Sequence, residues 1–177
     1  MLFLILIAFL QMNTKVLYDF TKTDSLDGWY TVNDDVMGGR STSTIELSPQ
    51  GNAVFKGQIS LQNNGGFSSV HYRFPAINTT GYKFLMLRIK GDGKRYQVRI
   101  KNRAGDTYSY IAYFSTNGEW QNIRVKLKDM YPSFRGRTLD LPNFDEGGEI
   151  IEFALLIGNK KEETFNIEIH KIELLSK

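Results

Sequence analysis

Cysteine is missing from the sequence, which excludes disulfide bonds, cysteine-ligated zinc and thiol nucleophiles. Proline is scarce, with 4 residues against 16 glycines in 177, and this ratio suits a fold with many tight turns. The net charge of +3 is too small to indicate nucleic-acid binding by itself. The hydrophobic fraction is 41% and the aromatic fraction 13%, enough for one domain with a substantial core.

Long hydrophobic runs are also lacking, except for MLFLILIAFL at the start of the chain. This run is too short for a transmembrane helix, which needs ~20 residues, but it matches the apolar core of a secretory signal peptide. No Lys or Arg precedes it and no A-x-A cleavage site follows it, so a misassigned start or a packed strand are alternatives. We expect an export signal or membrane-contacting anchor in residues 1–13, a single domain in residues 14–177, and export or membrane association rather than a cytoplasmic location.

Apolar and polar residues alternate with a period of two along most of the chain, which is typical of half-buried β-strands. About ten short strands separated by turn signals, with no helical stripe of ordinary length, predict an all-β fold, an antiparallel β-sandwich of the jelly-roll kind. The alternation slips after Ile169, which predicts a bulge near His170–Lys171. Residues 128–149 are expected to form a long irregular loop. The inward positions of the clearest strands are Ala53, Phe55, Gly57, Ile59, Leu61, Leu85, Leu87, Ile89, Tyr96, Val98, Ile100, Ile123, Val125 and Leu127.

Two polar loops with paired glycines each lead into a predicted strand: VNDDVMGGRS at residues 32–41 and LQNNGGFSS at residues 61–69. Asn and Asp side chains can bond their own backbone in turns, and glycine permits a positive φ or the close approach of another group. Val36 and Met37 are expected to pack onto the core, with Trp29 as a wall. The loops are either tight corners of the fold or a binding site.

Comparison with known ligand-binding motifs limits the kinds of ligand that a binding site at these loops could hold. Neither loop has the G-x-x-x-x-G-K-[ST] spacing, and no G-x-G-x-x-G opens a helix after a strand. Asp and Asn oxygens suit calcium, but the EF-hand pattern is missing, so we expect no metal and no cofactor. A carbohydrate site stays open as an alternative, because planar Asn and Asp groups can bind hydroxyls while a tryptophan offers a flat apolar face.

Four stretches, in this order, carry a resemblance to a known family: DGWYTVNDDVMGGRSTSTIEL, AVFKGQISLQNNGGFSSVHYRF, YPSFRGRTLDLP and FNIEIHKIEL. Together they closely resemble the complex I intermediate-associated protein 30 family, from about Leu17 to Leu174. The resemblance implies a galactose-binding-like β-sandwich, in agreement with the strand pattern. It also implies a non-catalytic assembly factor, since the mitochondrial members hold partly built respiratory complex I. Neither a mitochondrial transit sequence nor a Rossmann partner is visible, so we expect a stand-alone bacterial member.

The loops and the family motifs together define the candidate binding residues. They are expected to shape the fold and a contact surface at the end of the sandwich where the two glycine loops lie. Arg135, in the long loop, is expected to anchor a partner there. The candidates are Trp29, Asn33, Asp34, Asp35, Met37, Gly38, Gly39, Ser41, Asn63, Asn64, Gly65, Gly66, Phe67 and Arg135.

No catalytic constellation is visible in the sequence, so no enzyme activity is expected. His71 and His170 each lack a sequence neighbour that would complete a ligand pair or a triad, and we expect satisfied or solvent-facing histidines. Asp34 and Asp35 are adjacent, so their side chains diverge in extended chain, whereas a glycosidase needs two carboxyls that face one bond.

Basic residues form outward-facing pairs on three predicted strands: Arg88 with Lys90, Arg99 with Lys101, and Arg124 with Lys126. If these strands are neighbours, the pairs form one basic stripe. The stripe is either an ordinary solvated surface or a docking surface for an acidic protein, anionic lipid or nucleic acid. Interleaved aromatic residues are not evident, so nucleic acid is the least favoured partner.

The leading expectation is therefore a protein-binding module that acts as an assembly factor or chaperone on a protein intermediate. Membrane contact would come from the N-terminal segment. The alternative is a carbohydrate-binding module with its ligand at the Asn/Asp–Gly–Gly loops.

Overall fold

The computed structural model describes residues 13–177, apart from the side chains of Val36 and Met37. The expected signal or anchor therefore lies almost wholly outside the described residues and stays a prediction. The strands are β1 (Thr14–Asp19), β2 (Trp29–Asn33), β3 (Thr42–Leu47), β4 (Ala53–Ile59), β5 (Ser68–Asn78), β6 (Phe84–Lys90), β7 (Arg95–Lys101), β8 (Ser109–Ser115), β9 (Trp120–Lys126), β10 (Tyr131–Phe134), β11 (Arg137–Thr138), β12 (Glu149–Ile157) and β13 (Glu163–Leu175). Short 3-10 turns span Phe20–Lys22, Asp34–Met37, Gln62–Asn64 and Leu127–Asp129. Between residues 13 and 177, no helix has the length and apolar character that a membrane crossing requires.

Two antiparallel sheets carry these strands. The first sheet has the order β3-β4-β13-β6-β9, and β1 also pairs with β13. The second sheet has the order β11-β10-β8-β7-β12-β5-β2. The predicted all-β antiparallel sandwich is confirmed.

The core lies between the sheets and is formed by the side chains that alternate inward, as the period-two pattern predicted. In β4, β6 and β7 the buried inward residues are Ala53, Phe55, Ile59, Leu85, Leu87, Ile89, Tyr96, Val98 and Ile100. Val125 and Leu127 are buried as well, and Ile123 is half-buried. The inward prediction for Leu61 is wrong: it is 42% exposed, because β4 ends at Ile59 and the chain then turns.

Two local irregularities test finer predictions. The register between β13 and β6 shifts between Ile169 and Lys171, which confirms the predicted bulge. The expected irregular loop at residues 128–149 is only partly irregular, because it contains β10 and β11. These strands form a hairpin that extends the edge of the second sheet beyond β8.

The predicted basic stripe is divided between the two outer faces of the sandwich. β6 and β9 are neighbours in the first sheet, so their basic pairs share one face. β7 belongs to the second sheet, so Arg99 and Lys101 project from the other outer face of the sandwich. Whether the three basic pairs share a face depends on which strands are neighbours, and the alternation pattern does not specify this.

Candidate functional site

The two glycine loops meet around one buried carboxylate. Asp34 is 1% exposed and lies at the start of the 3-10 turn that follows β2. Its Oδ1 accepts a hydrogen bond from the Ser41 backbone N–H at 2.9 Å. Its Oδ2 accepts from the Ser41 hydroxyl, from Gly66 N–H at 2.6 Å and from Phe67 N–H at 3.3 Å. A single side chain thus joins the first loop to the second.

Burial alone would raise the pKa of Asp34, because a desolvated carboxylate is disfavoured. The hydrogen bonds from Ser41, Gly66 and Phe67 outweigh burial and hold the pKa below its usual value. Asp34 is therefore a stable carboxylate at neutral pH with its oxygens already engaged.

The paired glycines have a division of roles around this carboxylate. Gly38 and Gly66 have φ of +87° and +131°, which an L side chain rarely adopts. Gly39 and Gly65 instead leave room: a Cβ would lie 2.3 Å from Asp34 Oδ1 at Gly39 and 2.5 Å from Oδ2 at Gly65. In each pair, one glycine permits the turn and the other admits the carboxylate.

The amide side chains complete the corner. Asn33 Oδ1 accepts hydrogen bonds from the hydroxyls of Ser43 at 2.7 Å and Ser68 at 2.6 Å. Asn63 Nδ2 donates to the Gly38 carbonyl at 3.0 Å and so ties the loops together a second time. Asn64, which has a positive φ of 59°, is exposed on the loop surface. These contacts support the interpretation of the loops as a tight corner of the fold.

Trp29 lies in the core rather than at the loops. Its ring stacks on Tyr72 with a centroid distance of 4.9 Å and also contacts Phe20 at 5.0 Å. It precedes Asn33 by four strand positions, or about 13 Å. It therefore offers no flat face to a ligand at the loops. The expected packing of Met37 beside it concerns a side chain outside the described residues, while Asp35 is exposed nearby.

Arg135 lies far from the glycine loops. It occupies the turn between β10 and β11, with a φ of +48° and its guanidinium 5.3 Å from the Phe134 ring centroid. β10 and β2 are separated by five strand spacings, or about 24 Å. The strand register also places Arg135 at the opposite end of the sheet from Asn33. The loops and Arg135 do not form one end of the sandwich, contrary to the sequence-based expectation.

A second polar cluster lies on the outer face of the second sheet. His71 Nδ1 is 3.0 Å from Glu152 Oε1, and His71 Nε2 is 2.8 Å from the Ser69 hydroxyl. Arg73 Nε donates to Glu152 Oε2 at 2.7 Å, and the Tyr30 hydroxyl donates to the same oxygen at 3.4 Å. The Tyr30 ring stacks on the imidazole at a centroid distance of 5.1 Å.

Alternation along β5 places His71 on the same face as Ser69 and Arg73, but the sequence analysis missed Glu152. This carboxylate is 81 residues further along the chain and arrives from β12, the neighbour of β5. The sequence did contain one sign that Glu152 has a polar partner, because it is a charged residue among the apolar residues of a strand. Only the pairing of β5 with β12 shows which residue it meets.

The order Ser69–His71–Glu152 matches that of a hydrolase triad, but the surroundings differ. Ser69 is only 2% exposed, and its hydroxyl donates to the Val32 carbonyl at 3.1 Å. β5 is also an interior strand, paired with β2 on one side and β12 on the other. Its backbone N–H groups are therefore directed into the sheet rather than towards an oxyanion. The arrangement supports a fixed polar surface better than a nucleophile.

The ionisation of Glu152 predicts a pH-dependent contribution to stability. Burial would raise the pKa of Glu152, but the bonds to His71 and Arg73 lower it to about 2, from an ordinary 4.5. A lowered folded-state pKa stabilises the fold above pH 4.5, and this contribution is lost as the pH falls towards 2. We expect Glu152→Gln to cost about 1–2 kcal/mol at pH 7, a value reduced by the solvent exposure of Arg73.

Urea unfolding of the parent chain and of Glu152→Gln between pH 7 and pH 3 measures the contribution of the Glu152 charge to stability. The gap between them should narrow as the pH falls below 4.5. A gap of the same size at every pH would contradict the assignment, because it would show that charge on Glu152 has no part in the loss.

The sequence model of the family described as complex I intermediate-associated protein 30 matches residues 18–169, which is most of the chain. The chain belongs to the complex I intermediate-associated protein 30 family. The resemblance drawn from the sequence motifs is thereby confirmed. The glycine-loop corner built around Asp34 lies within the matched region of this family member.

Curated relatives carry the same name. The mitochondrial complex I intermediate-associated protein 30 of Drosophila melanogaster is 25% identical over 193 residues, an alignment that covers 96% of this chain and 65% of the relative. That of Mus musculus is 23% identical over 177 residues and is covered over 54% of its length. The chain therefore spans between about half and two-thirds of the length of these family members.

Solved structures share the fold at low sequence identity. The family 11 carbohydrate-binding module of the Clostridium thermocellum cellulase Lic26A-Cel5E superposes with a TM-score of 0.68 and 15% identity, over 92% of this chain and 94% of the module. A family 11 module from the same organism, in complex with a β-1,3-1,4-mixed-linked tetrasaccharide, superposes with a TM-score of 0.65, also at 15% identity, over 91% of this chain and 94% of the module. This likeness shows the fold alone, and it confirms the galactose-binding-like jelly roll expected for the family.

Proposed function

We propose that this protein is a non-catalytic protein-binding module that assists assembly, with an assembly intermediate of respiratory complex I as its partner. The observation that carries the proposal is the family match over residues 18–169, together with relatives named for association with complex I intermediates. The proposal includes an assembly-factor or chaperone role, and membrane association or export through residues 1–13.

The geometry supports binding over catalysis. The polar groups of Asn33 and Asp34 are engaged within the glycine-loop corner, so this corner acts as a rigid scaffold. The other polar cluster holds a serine that is almost fully buried. A rigid sandwich with fixed polar side chains on a sheet face can recognise a partner without reorganising, which lowers the cost of association.

Affinity capture tests the proposal. The tagged full chain serves as bait in solubilised membranes and soluble extract of its source organism, and mass spectrometry quantifies the proteins recovered. We expect this bait to recover about ten times more of the complex I subunits than a control bait does, which corresponds to about 1.4 kcal/mol in binding free energy. A family 11 carbohydrate-binding module is the matched control bait, since it shares the fold. Equal recovery of complex I subunits on both baits would refute the proposal.

A carbohydrate-binding role is the second candidate, favoured by the fold neighbour solved with a mixed-linked tetrasaccharide. Bonds within the glycine-loop corner already engage Asn33 and Asp34, so sugar hydroxyls would meet the outer face of the second sheet, where Tyr30 and Tyr113 lie. Beads that carry mixed-linked β-glucan form a further arm of the capture experiment. Retention of the chain on these beads, without enrichment of complex I subunits, would favour this candidate.

A further inference from the structure

Arg99 is a half-buried cation that forms no salt bridge within the part of the chain that the structure describes. It projects outward from the middle of β7, and its guanidinium donates to Gln97 Oε1 at 3.1 Å. Among residues 13–177, no Asp or Glu forms a salt bridge with it. Burial lowers the pKa of Arg99, although the nearby carboxylate of Glu152 acts in the opposite direction. A partly desolvated guanidinium with one neutral acceptor is costly to retain unless a ligand completes it.

The strand register places Arg99 in a row that crosses six strands of the second sheet. Its immediate neighbours in the row are Ala154 on β12 and Ile111 on β8, both 2% exposed. Gln97, the preceding outward residue of β7, is also buried. The centre of this face is thus recessed below longer side chains. In order across the sheet, the row is Tyr30, His71, Ala154, Arg99, Ile111 and Tyr131.

The charge on this face is predominantly positive. Arg95, Arg99 and Lys101 all point outward from β7, and Arg73 lies two strands away. Glu152, which lies opposite Lys101 on the neighbouring strand, is already held by His71 and Arg73. Contact with aromatic rings orients two of the cations: the guanidinium of Arg95 is 4.5 Å from the Tyr113 ring centroid, and that of Arg73 is 5.3 Å from that of Tyr30.

The spacing of these cations matches an extended acidic chain. Alternate residues of a strand are about 6.6 Å apart, which separates Arg99 from Lys101 by one such step and from Arg95 by two. Alternate side chains of an extended peptide have the same spacing. A planar guanidinium also binds a carboxylate through two parallel hydrogen bonds, whereas a small anion would use only one of these positions.

We propose that the outer face of the second sheet binds an extended acidic segment of a protein partner along β7, with a carboxylate of that segment paired with Arg99. The inference rests on the proposed partner-binding function and names its contact surface. Arg99 is the central contact, and Arg95 and Lys101 receive the alternate carboxylates on either side.

Calorimetric titration of the full chain with two peptides tests the proposal. One peptide alternates Glu and Ser over eight residues, and the other replaces every Glu by Gln. We expect the Glu peptide to bind measurably more tightly, and Arg99→Gln to weaken its binding about tenfold. Arg124→Gln is the matched control, because Arg124 is exposed on the outer face of the other sheet, over the ring of Phe84. It should change the affinity less than about twofold.

Several outcomes would overturn the inference. Equal weakening by both variants would show attraction to net charge alone, and equal binding of both peptides would show that carboxylates are not recognised. Inorganic phosphate that binds through Arg99 while the Glu peptide does not would identify a small-anion site instead.

A thermal midpoint of Arg99→Gln that equals or exceeds that of the parent excludes loss of folding as the cause of weaker peptide binding.

Repeating the affinity capture with Arg99→Gln separates this inference from the proposed function. Reduced recovery of complex I subunits by this variant supports both. Undiminished recovery preserves the proposed function and overturns the inference. Peptide binding through Arg99, without capture of complex I subunits by the parent chain, upholds the surface and refutes the identity of the partner.

Discussion

Asp34→Ala should lower the free energy of unfolding by about 3–5 kcal/mol. The variant removes a carboxylate that accepts four hydrogen bonds from two loops. Hydrogen bonds to a charged group contribute more than neutral ones, and the N–H groups of Ser41, Gly66 and Phe67 would lose their acceptor in a poorly hydrated corner. The cost therefore comes from orphaned donors as well as from lost bonds.

Chemical denaturation at pH 7 measures this effect. Asp140→Ala is the control, because Asp140 is exposed in the segment before β12, and it should change the free energy of unfolding by less than about 0.5 kcal/mol. Asp34→Asn should also destabilise the protein, since one oxygen becomes an amide that faces N–H donors. A loss of under 1 kcal/mol for Asp34→Ala would show that the two loops do not depend on this carboxylate.

Gly39→Ala should cost about 2–3 kcal/mol, because the added methyl group would overlap the side chain of Asp34. The three atoms nearest to a Cβ at this position are Oδ1, Cγ and Cβ of Asp34, at 2.3, 2.4 and 2.8 Å. Backbone strain does not contribute, since Gly39 has no positive φ. The carboxylate is held by four bonds and has little freedom to move aside.

A double-mutant cycle isolates the overlap. In an Asp34→Ala background two of the three close atoms are gone, so Gly39→Ala should cost at least 1 kcal/mol less than in the parent chain. Gly105→Ala is the matched control, because a Cβ there meets open space. If the two substitutions at the corner were additive, the explanation of the second glycine as room for Asp34 would be wrong.

These two predictions assign a structural role to the most conspicuous motifs of the sequence. The Asn/Asp–Gly–Gly loops hold each other in place, whereas the surface proposed to meet a partner lies on the outer face of the second sheet. That surface is centred on β7, whose outward residues Arg95, Arg99 and Lys101 lie outside the four motif stretches. Family motifs of this kind therefore mark the scaffold, and the contact residues need not lie within them.

Strand faces could be predicted without coordinates because the side-chain period of a strand is local. The inward positions of β6 and β7 and the bulge after Ile169 follow from the alternation alone. The turn glycines were also recognisable, since Asn, Asp and Gly have known conformational preferences. The purpose of Gly39 was not recognisable, because the atom it makes room for is fixed by the fold of the loop.

The sequence by itself therefore determined the all-β class, the faces of most strands and the family. The tertiary structure decided which distant side chains meet. Glu152 joins His71 because β12 pairs with β5, and Arg99 separates from Arg88 because their strands belong to different sheets. The tertiary structure also leaves Arg99 half-buried without a salt-bridged carboxylate among the described residues. The physical reason is that alternation reports the environment of each residue along its own strand, whereas contacts across strands depend on long-range pairing and register.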